Sequence, residues 1–219
     1  MNGVGALLHP GDRAIAAIKI VAFALALLPL GRLIIGAPLD WLGVNPIELI
    51  TRSTGTWTLV FLLITLSVTP LRRWTKWNWL LRLRRMLGLF AFFYGMLHLT
   101  TYVWLDQFFD IAEIAKDIVK RPFITIGFTA FVLMVPLAAT STDTMVRRLG
   151  GRRWRQLHRL MYVLAICAIV HYWWLVKRDL TQPALYALVL AILLGARLHW
   201  TLAERRRNSR GRSRAPDSV

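Results

Sequence analysis

Three histidines, His98, His158 and His171, sit inside or at the edge of two strongly apolar stretches of the chain. An ionisable side chain is costly in hydrocarbon, so within a membrane segment it marks a functional site. Imidazole is also an axial ligand of b-type haem. Two imidazoles on neighbouring helices can grip one iron from opposite sides, and a third at another depth would serve a second centre. The other histidines are placed differently. His9 precedes the first apolar run, and His199 lies near the end of the last. The single cysteine, Cys167, can form neither an intrachain disulfide nor a Cys-based metal cluster, and it reads as packing.

The elements that position these side chains must be membrane helices. Of 219 residues, 56% are hydrophobic and only 18% charged, against about 25% charged in soluble domains. The net charge of +17 could suggest nucleic acid, but the basic residues fall between and after the apolar runs. That is the pattern of cytoplasmic loops in an integral protein. Six stretches are long enough to span, over roughly Ala14–Ala37, Thr54–Leu71, Met86–Leu105, Pro122–Thr140, Trp154–Val176 and Pro183–Ala203. The first lacks a small-residue cleavage site and reads as a retained helix rather than a signal. The expected fold is an all-α integral membrane protein, a six-helix transmembrane bundle over residues 1–204. A basic tail over 205–219, rich in Arg, Ser and Gly, is expected to be disordered.

Charge sets the orientation. The connections after the second, fourth and sixth segments carry Arg72, Arg73, Lys76, Arg147, Arg148, Arg205 and further arginines. The opposite connections carry most of the acids, including Asp106, Asp110, Glu113 and Asp117. Both termini are therefore expected in the cytoplasm. On that topology His98 and His171 fall at similar depth in the outer half of the bilayer. His158, 13 residues before His171, lies ~20 Å deeper towards the cytoplasm. Thirteen steps also leave the two side chains ~140° apart around a straight helix, so they share no face unless that helix bends. On the third segment, the residue 14 positions before His98 is Arg84. An arginine thus stands where a second imidazole would serve an inner haem, and its guanidinium suits a propionate better than iron.

No glycine-rich dinucleotide fingerprint and no Cys-x-x-Cys-His are present. With only a short stretch after the sixth segment, no nucleotide-binding domain is expected. A transporter with histidines in a polar path is the reading from another class, but internal repeats are not evident. The Asp106–Asp117 stretch and the Trp173–Asp179 turn are candidate docking elements on the outer face.

The stretches NPIELITRSTGTWTL, VTPLRR, LRRMLGLFAFFYGMLHLTTYVWLD, KRPFITIG and RRWRQLHRLMYVLAICAIVHYWWLVKRD, from Asn45 to Asp179, resemble the ferric-reductase-like transmembrane family. Within it they are similar to the haem-binding membrane subunits of bacterial methionine-sulfoxide reductase systems. The resemblance implies a multi-pass protein of the bacterial inner membrane that carries haem b, one or two per chain, and FMN. It implies electrons taken from the membrane quinone pool and passed to a periplasmic MsrP-type molybdopterin catalytic subunit as partner in a heterodimer. The family's haem-linked histidines fall on His98, His158 and His171. The sulfoxide site is implied to be on the partner, so no catalytic residue is assigned to this chain. The alternative is a stand-alone ferric or cupric reductase on the same scaffold.

Overall fold

A computed structural model describes residues 10–176 and 179–212, with side chains to 208. His9, Lys177 and Arg178 lie outside the described residues. Everything described is helix, turn or short connection. The helices are α1 (Asp12–Gly36), α2 (Pro46–Thr75), α3 (Arg84–Thr101), α4 (Ile111–Lys120), α5 (Pro122–Ala139), α6 (Asp143–Leu149), α7 (Gly151–Leu157), α8 (Leu160–Leu175) and α9 (Thr181–Arg212). Five of them are long and apolar enough to cross a membrane: α1, α2, α3 with its extension to Asp106, α5 and α9 to Asn208. The chain is a multi-pass membrane protein.

The stretch expected as one helix over Trp154–Val176 is two. Helix α7 stops at Leu157, and the chain passes His158 and Arg159 through tighter bonds, Arg159 N–H to Gln156 O at 3.1 Å and Tyr162 N–H to Arg159 O at 3.0 Å. The basic segment Arg205–Arg212, expected to be disordered, continues α9 instead. Residues 213–219 lie outside the described residues. The second segment, the shortest expected, belongs to the 30-residue helix α2. Its start is fixed by Asn45, whose side chain accepts from Glu48 N–H at 3.2 Å, with Pro46 in the first turn.

Helix α2 packs along α3, and α5 along α8. Aromatic rings fill the centre: Phe61 stacks on Tyr94 with centroids 5.4 Å apart and on Phe90 at 5.5 Å. Tyr94 is fully buried. Its hydroxyl enters α1 where Pro29 opens the ladder, donating to Ala26 O at 2.7 Å and accepting from Leu30 N–H at 3.3 Å. A proline ring crowds the turn before it, and the phenol bridges the neighbouring carbonyl and N–H. The outward faces of α1 and α9 expose Ile20, Phe23, Leu28, Leu185 and Leu188, as lipid-facing helices do.

Helix α4 lies in the acidic connection between α3 and α5. Asp117 there is buried rather than presented for docking. It accepts from Tyr102 Oη at 3.2 Å and pairs with Arg121 Nε at 3.1 Å. The basic end is cross-linked by Arg82–Asp12 at 2.6 Å, Arg73–Glu204 at 2.9 Å and Arg85–Asp143.

Candidate haem site

Helices α3 and α8 bring His98 and His171 together, with ring centroids 6.2 Å apart and planes crossed at 71°. Each ring is fixed by a backbone carbonyl of the neighbouring helix. His98 Nδ1 lies 2.9 Å from Thr51 O in α2, and His171 Nδ1 lies 2.7 Å from Phe123 O in α5. A carbonyl only accepts, so each Nδ1 carries the proton and each Nε2 carries the lone pair. Neither Nε2 has a protein hydrogen-bond partner among the described residues.

This pair fits a metal held between two imidazoles. A nitrogen bonds a transition metal at about 2 Å, so rings 6.2 Å apart are close enough that both could ligate one iron. Metal-bound histidines characteristically donate their other ring N–H to a carbonyl or carboxylate. Thr51 Oγ1, on the residue whose carbonyl holds His98, is buried without a hydrogen-bond partner. An orphaned hydroxyl at a site is the sort of group a bound polar edge satisfies. Among the described residues no cluster of three His, Cys, Asp or Glu side chains could hold a bare metal ion, and a pair of imidazoles is a ligand set known for haem iron.

His158 stands apart from this pair. At the turn His158–Arg159 it lines a cavity of about 370 Å³ at the basic end, together with Arg84, Arg85, Phe92, Met134 and Leu164. Its Nε2 lies 3.1 Å from Thr140 Oγ1, and the Trp154 ring stacks on it at 4.0 Å. Trp154 Nε1 donates to Thr140 O at 2.8 Å, so the three residues form one unit. Arg84 and His158 thus share one cavity, while His199 lies in α9 and does not line it.

Sequence reasoning missed Thr51, Phe123 and Thr140. Two of them act through backbone carbonyls, which carry no residue signature, and the third is one threonine among many. Only the requirement that a ligating imidazole place its second nitrogen could have prompted a search for them.

The described chain is a helical membrane protein with two imidazoles facing each other between its central helices. The profile of the ferric reductase like transmembrane component matches residues 54–169. A relative from Herminiimonas arsenicoxydans is 57% identical over 92% of this chain and 93% of its own length. One from Azospira oryzae is 58% identical over 90% and 83%, and one from Rhodospirillum rubrum 51% identical over 90% and 93%. Each of the three is named protein-methionine-sulfoxide reductase heme-binding subunit MsrQ. The chain belongs to the ferric reductase like transmembrane family and, within it, to the MsrQ group. No solved structure matches it.

Proposed function

We propose that the chain is the haem-binding membrane subunit of a protein-methionine-sulfoxide reductase system. It carries electrons from a membrane quinol to a periplasmic MsrP-type molybdopterin subunit, which reduces methionine sulfoxide in oxidised proteins. The observation that carries this reading is the facing pair His98 and His171, each with Nδ1 held and Nε2 bare. Haem b supplies reversible one-electron chemistry. The residues supply its placement. His98 and His171 leave two Nε2 atoms without a protein partner on adjacent rings, and the apolar helices around them would limit access of water.

At the basic end the proposed roles are those of an inner haem site. Arg84 puts a guanidinium on the cavity lining, where a carboxylate would pair well with it, while Arg85 is held by Asp143. Phe92, Met134 and Leu164 give it apolar walls, and His158 is the one imidazole facing it. For His158 to act as a ligand, the Thr140 hydroxyl must release Nε2. The resemblance also implies an FMN cofactor.

The same reading makes α8 a sixth crossing, completed by α7 across the turn at His158–Arg159. Both termini then face the cytoplasm of a bacterial inner membrane. The excess of Lys and Arg at the end that holds Arg73, Arg82 and Arg85 supports this. The test is redox spectroscopy with haem quantification on the purified protein. A dithionite-reducible b-type spectrum in wild type, lost in His98→Ala and in His171→Ala, is expected. Full haem with unchanged spectra in both variants would sink the assignment. Direct reduction of chelated iron by the chain alone would favour the ferric reductase alternative.

A further inference from the structure

Each of the paired histidines lies flat against a glycine of the helix that holds it. A Cβ placed on Gly127 would stand 2.7 Å from His171 Nδ1 and 2.8 Å from its Cε1. A Cβ on Gly55 would stand 3.0 Å from His98 Cε1 and 3.1 Å from its Nδ1. Other helical glycines meet no histidine, and where they are close it is to a flexible side chain, Gly36 to Leu42 Cδ2 at 3.0 Å and Gly95 to Met134 Sδ at 3.3 Å. Gly31 and Gly195 have nothing within 4 Å of such an atom, and Gly88 meets only Thr65 Cγ2 at 3.7 Å.

The position of each glycine relative to its carbonyl is the same. Gly55 follows Thr51 by four residues, and Gly127 follows Phe123 by four. In an α-helix, residues i and i+4 lie above one another on one face, and the carbonyl of residue i points along the axis towards residue i+4. A side chain at i+4 therefore covers that carbonyl. Removing it leaves a notch in which a flat ring can lie against the backbone and reach the oxygen's second lone pair. The carbonyl can then take the imidazole N–H without giving up its place in the helix.

We propose that Gly55 and Gly127 are positioning residues for the iron-binding imidazoles. They form two matched notches, one on α2 and one on α5, that seat His98 and His171 against the carbonyls of Thr51 and Phe123. The inference rests on the proposed haem at this pair. The two carbonyl bonds set three properties together. They fix the tautomer that leaves Nε2 bare. They hold the ring planes crossed at 71°. They also raise the basicity of each ligand, because a ring that gives its N–H to an acceptor is a stronger donor through its other nitrogen. A more basic pair favours the ferric state, so weakening either bond raises the midpoint potential.

The experiment uses the full chain in lipid nanodiscs as wild type, Gly55→Ala and Gly127→Ala, with Gly31→Ala and Gly195→Ala as controls. Haem per chain, the midpoint potential and the low-temperature EPR spectrum of the ferric state are read. Wild type is expected to give a low-spin signal with the large anisotropy of crossed imidazole planes. Gly127→Ala, with the closer contact, is expected to lose at least half its haem or to turn high-spin. Gly55→Ala, where the ring needs to give only slightly, is expected to keep its haem with a raised midpoint and an altered EPR anisotropy. The controls should match wild type in all three readouts. If Gly127→Ala fails to insert, Gly55→Ala decides alone. Glycine variants that match wild type in haem content, potential and EPR overturn the notches while leaving the haem pair standing. A wild type with no low-spin bis-imidazole signal overturns the haem pair and the notches with it.

Discussion

Arg197 of α9 donates through Nη2 to the carbonyl oxygen of Leu66 in α2 at 2.6 Å. That carbonyl is open because the residue four positions on is Pro70, which has no N–H to give it. The arginine replaces the missing bond from a separate helix and lays its guanidinium 5.5 Å from the Tyr162 ring centre on α8. One proline thereby ties three helices.

This relationship predicts a coupling between positions 70 and 197. Arg197→Leu leaves the Leu66 carbonyl without a donor, at a cost of about 1–3 kcal/mol. The same change removes a charge from an apolar setting, which offsets part of that cost. The single variant is therefore a poor reporter, and the double-mutant cycle with Pro70→Ala is the useful one. Pro70→Ala restores an in-helix N–H, so the double variant should be more stable than the two single effects added, by about 1 kcal/mol. Unfolding in detergent measures it, and strictly additive effects would refute the linkage.

Tyr94→Phe tests the other proline. The change keeps the ring that stacks on Phe61 and removes only the hydroxyl that bridges Ala26 O and Leu30 N–H beside Pro29. Two buried backbone groups lose their partner, so a loss of about 1–3 kcal/mol is expected. Thermal unfolding checks it, and a change under about 0.5 kcal/mol, the usual span of neutral surface substitutions, would show the bridge to be idle.

These two links mark the limit of what sequence gives. The helical membrane class and the pairing of His98 with His171 follow from long-range periodicity and depth, and both can be read before any coordinates. A proline in an apolar run reads as a candidate kink, but the residue that repairs it comes from a distant part of the chain. Tyr94 and Arg197 gave no local sign of that task. The separation of His158 from His171 was legible, since thirteen steps set them on different faces of a straight helix, whereas the turn at His158–Arg159 was not. Asp117 looked like part of an acidic surface because its neighbours are acidic. Its burial depends on Tyr102 and Arg121 meeting it across a turn. The Arg205–Arg212 stretch looked disordered by composition, yet it continues a helix already nucleated by the apolar run before it.

The Arg85–Asp143 pair predicts a pH dependence at the basic end. Asp143 is exposed, and its carboxyl is held below the ordinary value of 3.8, first by the hydrogen bond from Arg85 and then by that residue's charge. A carboxylate with a lowered native pKa stabilises the fold above its unfolded pKa, and that contribution is lost as pH falls through the native value. Wild type should therefore exceed Asp143→Asn in thermal stability at about pH 6, and the gap should close as the pH falls below the ordinary carboxyl value of 3.8 and through the lowered native one. The pair is solvated, so the gap is small and shrinks with added salt. A gap that is constant over this range would assign the difference to packing of α6 instead.

His158 carries the last prediction, because it separates one haem from two. It faces a cavity at the opposite end of the bundle from the His98–His171 pair, beside Arg84, with its Nε2 on the Thr140 hydroxyl. If the inner cavity takes a haem through this imidazole, wild type holds two per chain. His158→Ala should then lose about half of the haem, and Arg84→Leu part of it through the lost guanidinium. The outer pair shares neither helix α7 nor the Thr140 hydroxyl, so the low-spin signal of His98 and His171 should persist in both variants. Thr140→Val frees Nε2 without touching the ring, and it should keep or strengthen inner binding. Haem quantification by pyridine haemochrome, alongside EPR, reads all four proteins. Wild type with a single haem per chain, retained in His158→Ala, would remove the inner haem. Arg84 and His158 would then be left as polar groups of an otherwise apolar cavity, with the outer pair as the chain's only iron site among the described residues.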